Sequence, residues 1–383
     1  MDIVLTLIII FGIYFLQRRT LVQGFVSDNN GVTENYFDIL FGVHFFFSLI
    51  YMIYAFVNRS DSGEYYRITV ETASWGELFE SGTLFVRFLC YPFSNILGLS
   101  YYSVMLIFSF LGFQGLLFFY LAARENINNL PIVWGGMSLL ELLFILPNSH
   151  FWSASLGKGS LMTFAIGLAI YGLSRFNRRL PILLLGAFLV YMCRSHMLLA
   201  IVIGVGLGLF FTQRGIKWYF RFPFLIVSLA AFLLLSDNVV EQTGAESLNI
   251  FDSQRMTHRV RELGKSSSGV DIANYSQGFK LFTFLFRPLF IDSPGLLGIV
   301  SSFENAFLLF LAIRFLINFP VFWSRSNGFH KAAMFTFLLA AISLAQISGN
   351  LGIAIRQKSQ IFPLFFLFYA FSLSVLNKQK SNP

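Results

Sequence analysis

The sequence predicts an all-α membrane protein that crosses the bilayer many times. Hydrophobic residues make up 56% of its 383 residues and charged residues only 12%, whereas a soluble domain carries roughly 25% charged residues. The mean hydropathy is +0.68, and many apolar runs approach the roughly 20 residues that a spanning helix needs. We therefore expect the chain to be surrounded by a lipid bilayer and to have no nucleic-acid partner.

Apolar runs predict about 11 transmembrane helices within a single membrane domain, residues 1–383. The runs cover residues 3–16, 36–56, 101–122, 132–146, 161–173, 181–193, 197–211, 224–235, 299–317, 332–347 and 361–376. The first run lacks a basic leading segment and a small-residue cleavage site, so we expect it to be retained as a helix. Residues 281–297 are interrupted at Arg287-Pro288 and again at Asp292, which favours an amphipathic or re-entrant segment over a clean span.

Charged residues in the short loops predict the orientation. Residues 175–179, 213–221, 323–331 and the tail 377–383 carry Lys and Arg without any acid, which is typical of cytoplasmic loops. With 11 spans, the N-terminus then lies outside and the C-terminus lies in the cytoplasm. The expected location is the inner (plasma) membrane of a bacterium.

This orientation places the irregular parts of the chain outside the cell. Two long extracytoplasmic segments, 57–100 and 236–298, contain amphipathic patterns that predict interfacial helices. Three short polar loops, 147–160, 194–196 and 348–358, lie on the same side. Because loops carry function on a membrane scaffold, we expect the protein to act at this face.

The stretch "NRSDSGEYYRI" (58–68) directly follows the second span. Asp61 is a candidate general base that deprotonates a sugar hydroxyl, and Tyr65 is a candidate substrate contact. The alternative is that Ser60, Asp61 or Ser62 caps a short surface helix. The two interpretations are compatible.

Two further ionisable residues lie near the fourth and fifth runs. Lys158 is a candidate phosphate ligand, and the alternative is an ammonium that reaches out to the bilayer interface. Glu141 lies inside the fourth run, where an ionisable side chain costs about 2.5–3.5 kcal/mol. It is a functional candidate unless a cation such as Lys158 or Arg194 pairs with it.

Outer loops between later runs hold additional candidates. Arg194 and His196 form a tight turn, where an arginine can grip a phosphate with two hydrogen bonds and a histidine can shuttle a proton. The stretch "GNLGIAIRQK" (349–358) carries two cations. We predict that Arg356 points inward, to the same place as Arg194 and Arg287, and that Lys358 lies at the surface.

Arg287 lies in apolar surroundings and needs a partner. That partner is either Glu304, which we also predict to be catalytic, or the phosphate of a ligand that Arg287 binds. The basic stretch 252–265 is expected to form a solvated surface helix with one face made of Arg255, His258 and Arg259.

Several motifs are absent from the sequence. It has no P-loop, HExxH, GxGxxG or paired-cysteine zinc site, so we predict no cofactor and no metal. Cys90 and Cys193 are expected to be free and structural. Gly204 and Gly208 are four residues apart within a span, which predicts close helix packing.

The chain resembles bacterial proteins of surface-polysaccharide assembly, namely the Wzy-like and EpsG-like polymerases and, more broadly, the C-type integral-membrane glycosyltransferases. The stretches that carry the resemblance are "DSGEYY", "PNSHFWSASLGKGSL", "LFRPLF…SFEN" and "GNLGIAIRQKSQIFP".

The resemblance implies a glycosyltransferase of O-antigen or exopolysaccharide assembly that uses an undecaprenyl-linked sugar donor on the extracytoplasmic side. Its partners are the polyprenyl-(di)phosphate-linked saccharide, the bilayer and other membrane proteins of polysaccharide assembly. By the same resemblance Asp61 is the base, and the contacts to phosphate or acidic sugar are Arg194, Arg287, Arg356 and Lys158.

Two other functions stay open at this point. A flippase for lipid-linked oligosaccharides, or another transporter of polysaccharide export, predicts polar residues through the middle of several spans. An acyltransferase predicts a buried histidine near the centre of the membrane. Of the five histidines, only His44 lies in the middle of a predicted span.

Overall fold

A computed structural model describes residues 1–27, 34–58, 60–128, 130–212 and 268–381 apart from positions 273 and 294, together with isolated positions between 219 and 264. The described chain is almost entirely helical. Six of its helices are long and apolar enough to span a membrane, and a bent helix pair makes a seventh candidate. The chain is thus a helical membrane protein, although the described helices of spanning length are fewer than the 11 predicted runs.

The chain divides into two compact units, which are described separately. Unit 1 comprises residues 1–128 and 132–193, and unit 2 comprises residues 129–131 and 194–383. The predicted surface helix with Arg255, His258 and Arg259, most of the run 224–235 and the first part of the segment 236–298 lie outside the described residues.

The helices of unit 1 are α1 (Asp2–Ser27), α2 (Glu34–Val57), α3 (Asp61–Glu71), α4 (Thr83–Tyr91), α5 (Tyr101–Asn126), α6 (Leu139–Phe144), α7 (Pro147–Ser153), α8 (Lys158–Ser174) and α9 (Phe176–Cys193). Helices α5 and α8 run parallel, and their backbones are in contact. A Cβ at Gly115 would lie only 2.4 Å from the carbonyl of Thr163, so a larger residue would not fit at this position. Between α4 and α5, residues Pro92–Ile96 form a π-helical turn.

The fourth predicted run, 132–146, does not form a spanning helix. It begins as a hairpin of β1 (Ile132–Trp134) and β2 (Met137–Ser138), turned at Gly135 and Gly136, which both have positive φ. The six-residue α6 follows, capped by Ser138. The glycine turn and the cap at Ser138 therefore determine the backbone of this run, although its composition is apolar.

Glu141 belongs to this cap. Its carboxylate accepts hydrogen bonds from the backbone N–H of Ser138 at 2.6 Å and from the hydroxyl of Tyr120 at 3.0 Å. These hydrogen bonds explain the burial of Glu141 without an ion pair to Lys158 or Arg194. The role of Glu141 is therefore structural.

Polar contacts define one end of unit 1. There the carboxylate of Asp2 accepts hydrogen bonds from the backbone of Ser100 and the hydroxyl of Ser103, both at 2.8 Å. The backbone N–H of Gly82 donates to the carbonyl of Met192 at 2.7 Å. The start of α1, the start of α5 and the end of α9 therefore share this end with α3 and α4.

Unit 2 contains α10 (Ser195–Phe210), α11 (Gln277–Phe286), α12 (Gly295–Ile317), α13 (Phe319–Arg325), α14 (Gly328–Ile347), α15 (Leu351–Lys358) and α16 (Phe362–Ser381). The predicted close packing at Gly204 and Gly208 is confirmed. A Cβ at Gly208 would lie 2.3 Å from the backbone nitrogen of Ala332 in α14.

The stretch "GNLGIAIRQK" forms a short helix, α15, instead of a simple turn. Asn350 caps it, with its side-chain oxygen accepting from the backbone N–H of Ile353 at 3.1 Å. The following helix, α16, is bent by 54° from α15. The chain thus bends sharply at this point, as in a broken span or a re-entrant loop.

Candidate functional site

A cavity of about 170 Å³ lies between α3 and α4 in unit 1. Its lining consists of Asp61, Glu64, Tyr65, Thr83 and Arg87. Asp61, Glu64 and Tyr65 share one face of α3 because residues three and four apart are neighbours on a helix. We call this the α3–α4 cavity.

Local sequence explains why α3 begins where it does. The side chain of Ser60 accepts a hydrogen bond from the backbone N–H of Ser62 at 3.3 Å, so the helix starts at Asp61. The predicted cap is thus confirmed, and it is the cap that turns Asp61 and Tyr65 into the cavity. The role of Asp61 as a general base stays a prediction.

The first residue of α8 approaches the same cavity. A Cβ at Gly82 would lie 3.7 Å from Nζ of Lys158, and a Cβ at Gly157 would lie 3.5 Å from the ring of Tyr65. Lys158 therefore stands beside the loop that leads into α4. Three residues proposed from sequence, Asp61, Tyr65 and Lys158, are brought together although nearly 100 positions separate them.

Arg87 is the residue of this cavity that sequence analysis missed. It lies on α4 among apolar neighbours, in the stretch "TLFVRFLCY". Its Nε is buried and makes no hydrogen bond within the described part of the chain. A buried charged donor without a partner is costly, which makes Arg87 the strongest sign of a missing anion.

A second cavity, of about 300 Å³, lies on an adjacent face of α3, between the end of α2 and the start of α5. We call it the α2–α5 cavity. Its lining consists of Ala55, Asn58, Ser60, Gly63, Glu64, Arg67 and Tyr101. Glu64 lines both cavities.

In unit 2 the cations of the predicted site have protein partners. Lys358 is only 2% exposed, and its Nζ donates to the carbonyls of Leu285 and Arg287 at 3.1 and 2.9 Å. The prediction that Lys358 lies at the surface is wrong. Because α15 turns into the bundle, the side chain closes the end of α11 instead of facing solvent.

Arg287 pairs with Asp292 and not with Glu304. Burial alone would lower the pKa of Arg287, but hydrogen bonds to Asp292 and Tyr275 raise it, so the guanidinium stays charged. Glu304 instead acts electrostatically on Lys358, as does Asp292.

Arg194 lies at the junction of α15 and α16. Its Nη1 donates to Oε1 of Gln360 at 3.3 Å, and Nε2 of Gln360 donates to the carbonyl of Arg356 at 3.0 Å. The structure therefore brings Arg194 next to the backbone of Arg356. His196 follows in the first turn of α10. A common binding place for the side chains of Arg194, Arg287 and Arg356 stays a prediction.

His44 faces the interior of unit 1. Its Nδ1 lies 3.1 Å from Nδ1 of His150, and its Nε2 lies 2.9 Å from the carbonyl of Ser109. The adjoining cavity has a volume of about 10 Å³, which is room for one water molecule. His44 thus has the burial that an acyltransferase requires but no space beside it for an acyl chain.

Both cysteines are buried and neither forms a disulfide, as predicted. Burial raises the pKa of the Cys90 thiol to about 11, so the thiol stays protonated and unreactive. Among the residues that the structure describes, no group of three or more His, Cys, Asp or Glu side chains is arranged to hold a metal ion.

No protein-family model, no curated protein and no solved structure matches this chain. Function is therefore inferred from the side chains that line the two cavities. The α3–α4 cavity combines two carboxylates with an arginine whose buried Nε makes no hydrogen bond within the described residues. In unit 2, by contrast, Arg194, Arg287 and Lys358 are engaged by protein groups.

Proposed function

We propose that this protein is a membrane-embedded glycosyltransferase of the polysaccharide-polymerase type. Its donor is a polyprenyl-diphosphate-linked saccharide, and it acts on the extracytoplasmic side of a bacterial inner membrane. The observation that carries the proposal is the α3–α4 cavity, where Asp61 and Glu64 meet the unpartnered Arg87, with Lys158 beside them.

Such a cavity suits the transfer of a sugar from a diphosphate. A polyprenyl diphosphate leaves with the electron pair of the broken sugar–oxygen bond, and cations such as Arg87 and Lys158 stabilise the charge that develops on it. A carboxylate, Asp61 or Glu64, accepts the proton of the attacking hydroxyl. The arrangement needs neither a metal nor a nucleotide.

The depth of the cavity supports a lipid-linked donor. Gly115 lies well inside α5, but the residue it packs against, Thr163, lies in the second turn of α8. At about 1.5 Å per residue, α5 extends on the order of 10 Å beyond Lys158. Lys158 therefore lies below the first residue of α5, and we take this position to be the level of the diphosphate of a polyprenyl lipid.

The remaining candidates lie in unit 2. Arg194, His196, Arg356 and Glu304 stay candidates for contacts with the saccharide or for catalysis, as the resemblance implies. Arg287 is the weakest candidate, since Asp292 already neutralises it. The proposal that the candidates of unit 1 and those of unit 2 lie outside the cytoplasm rests on the short basic loops, which predict the orientation of the chain.

A transporter of lipid-linked saccharides is the second candidate function. It is favoured by the polar cluster half-way along α2 and α5, where His44 contacts His150 and Ser109, and Ser48 lies 2.5 Å from Ser109. The small volume beside this cluster argues against a passage for a saccharide.

The experiment uses the purified protein in nanodiscs with lipid-linked saccharide extracted from the producing cells. We expect wild-type protein to lengthen the saccharide and Arg87→Gln to lower the rate by about 10²–10³-fold. Farnesyl diphosphate, as a soluble probe, should bind the variant at least tenfold more weakly. The matched control is Arg178→Gln, an exposed arginine in the first turn of α9 that lines neither the α3–α4 nor the α2–α5 cavity.

Movement of saccharide across the bilayer without chain growth would establish the transporter instead. Equal rates and equal probe affinities for Arg87→Gln, Arg178→Gln and wild type would remove the α3–α4 cavity from the proposed function.

A further inference from the structure

The α2–α5 cavity and the α3–α4 cavity border the same helix, α3. On α3, the residues of the α2–α5 cavity recur at helical spacing at positions 60, 63, 64 and 67, and those of the α3–α4 cavity at 61, 64 and 65. These are adjacent stripes of one helix surface. Glu64 lies on the boundary between the stripes and is the residue that both cavities share.

The two cavities differ in charge. In the α3–α4 cavity the buried Nε of the partly exposed Arg87 makes no hydrogen bond to the described residues. In the α2–α5 cavity the guanidinium of Arg67 donates to both carboxylate oxygens of Glu71, at 3.0 and 3.2 Å, which neutralises it. The first cavity therefore offers a cationic donor that no described protein group engages, and the second does not.

The other groups of the α2–α5 cavity are neutral hydrogen-bonding side chains and an aromatic ring, from Asn58, Ser60 and Tyr101. The hydroxyls of Ser60 and Tyr101 already contact Ser62, and the side-chain amide of Asn58 donates to the carbonyl of Tyr54. The side-chain oxygen of Asn58 can still accept from a sugar hydroxyl, and an aromatic ring packs against the C–H face of a sugar. The volume of about 300 Å³ accommodates one or two sugar rings, since it lies at the lower end of the range for small-molecule sites.

The two carboxylates of the α3–α4 cavity, Asp61 and Glu64, also differ in their contacts with the protein. Asp61 already has an interaction partner, whereas Glu64 makes no hydrogen bond or ion pair within the described residues. A carboxylate that is not engaged by the protein is available to take up a proton. Glu64 is thus better suited than Asp61 to act as the base.

We infer that the α2–α5 cavity binds the acceptor, a neutral polyhydroxylated saccharide, and that Glu64 is the catalytic base between acceptor and donor. This inference rests on the proposed function of the α3–α4 cavity. It adds a second binding site and assigns the proton transfer to one residue. Asp61 is left with a supporting role beside Lys158.

The step balances without a further reactant. The acceptor hydroxyl oxygen, in the α2–α5 cavity, forms a bond to the anomeric carbon of the donor sugar. The bond from that carbon to the diphosphate oxygen breaks, and the diphosphate leaves with the electron pair toward Arg87. The hydroxyl proton passes to the carboxylate of Glu64, which later releases it to solvent.

The test separates the two cavities by substitution. Glu64→Gln keeps the size of the side chain and removes the base. Gly63→Leu fills the α2–α5 cavity, and a Cβ at Gly63 meets no atom within 4 Å, so the fold accommodates it. The matched controls are Glu77→Gln and Gly76→Leu, which lie in the exposed 3₁₀ turn before α4 and outside both cavities.

Transfer is measured from the extracted lipid-linked saccharide to the saccharide that mild acid releases from the same lipid. We expect Glu64→Gln to lower kcat by about 10²–10⁴-fold, to abolish the low-pH limb of the rate profile and to bind farnesyl diphosphate within twofold of wild type. Gly63→Leu should raise the KM for the released saccharide at least tenfold at unchanged probe affinity. Gly63→Ala, with a smaller side chain, should give an intermediate KM.

The outcomes distinguish this inference from the proposed function. If wild type transfers sugar but Glu64→Gln and Gly63→Leu behave as their controls do, the inference is overturned and the proposed function stands. If wild type neither transfers sugar nor binds farnesyl diphosphate, both are overturned. Loss of probe binding in Glu64→Gln would assign Glu64 to the donor site and also overturn the inference.

Discussion

Arg87 in unit 1 and Lys358 in unit 2 are both cations in poorly solvated surroundings, yet their environments differ. Two backbone carbonyls accept hydrogen bonds from Nζ of Lys358, and the carboxylates of Asp292 and Glu304 act on its charge. The buried Nε of Arg87 has no acceptor among the described residues, and the side chain borders a cavity.

The difference shows how to separate structural from functional cations in such a chain. A buried cation whose donors are satisfied by the protein contributes to folding, because removing it exposes the acceptors that it leaves behind. A buried cation with an unsatisfied donor beside a cavity lowers stability unless a ligand supplies the acceptor. Substitution of each should therefore affect different properties, and the predictions below test this.

The largest effect on stability is expected for Lys358→Met, which keeps the length of the side chain. It leaves the carbonyls of Leu285 and Arg287 without their donor, and we expect the free energy of unfolding to fall by about 2–4 kcal/mol. Reversible unfolding by SDS in bicelles measures it. Lys280→Met, on the half-exposed α11, is the matched control and should change little. An equally small effect of Lys358→Met would contradict its structural role.

The cap of α15 is the next largest contribution to this region. Asn350 accepts a hydrogen bond from the backbone of Ile353 at 3.1 Å and another from the hydroxyl of Ser268 at 3.0 Å. Asn350→Ala should lower the free energy of unfolding by about 1 kcal/mol and increase hydrogen exchange in residues 351–358. Asn350→Asp, which retains a capping oxygen, should restore most of the loss. Unchanged exchange in Asn350→Ala would show that tertiary contacts alone hold α15.

The fold could be predicted from sequence wherever a long apolar run decides the structure. Such runs predict α2, α5, α12 and α14, which are all long enough to span a membrane. The prediction of a spanning helix over the run 132–146 was wrong, because Gly135-Gly136 and the capping box at Ser138 determine the backbone there. Composition alone does not reveal whether the apolar run or the turn residues decide the structure.

The candidate site could be predicted in part. Asp61, Tyr65 and Lys158 were found because each lies in a polar loop next to a span, and the structure brings them together. Arg87 was missed because a cation on an amphipathic helix usually faces solvent. Lys358 was misplaced because a short polar loop usually lies at the surface. Both cases depend on tertiary contacts that no local pattern records.

Arg287 is intermediate between the two cations, since its ion pair with Asp292 is about one-fifth exposed. Asp292→Asn removes the charge but keeps the oxygen that accepts from the backbone of Leu289. We expect a loss of about 1 kcal/mol or less in the same unfolding measurement, because partly solvated pairs contribute little. A loss as large as that of Lys358→Met would mean that Asp292 is needed mainly as the counter-ion of Lys358.

The smallest effect on stability is expected for Arg87→Met. The substitution removes an unpartnered guanidinium and keeps an unbranched side chain, so the free energy of unfolding should change by no more than about 0.5 kcal/mol and can increase. Farnesyl diphosphate should stabilise wild-type protein against SDS and leave Arg87→Met unaffected, because only the wild type offers the donor. If Arg87→Met instead unfolds as readily as Lys358→Met, the guanidinium contributes to folding, and the contrast between the two units is wrong.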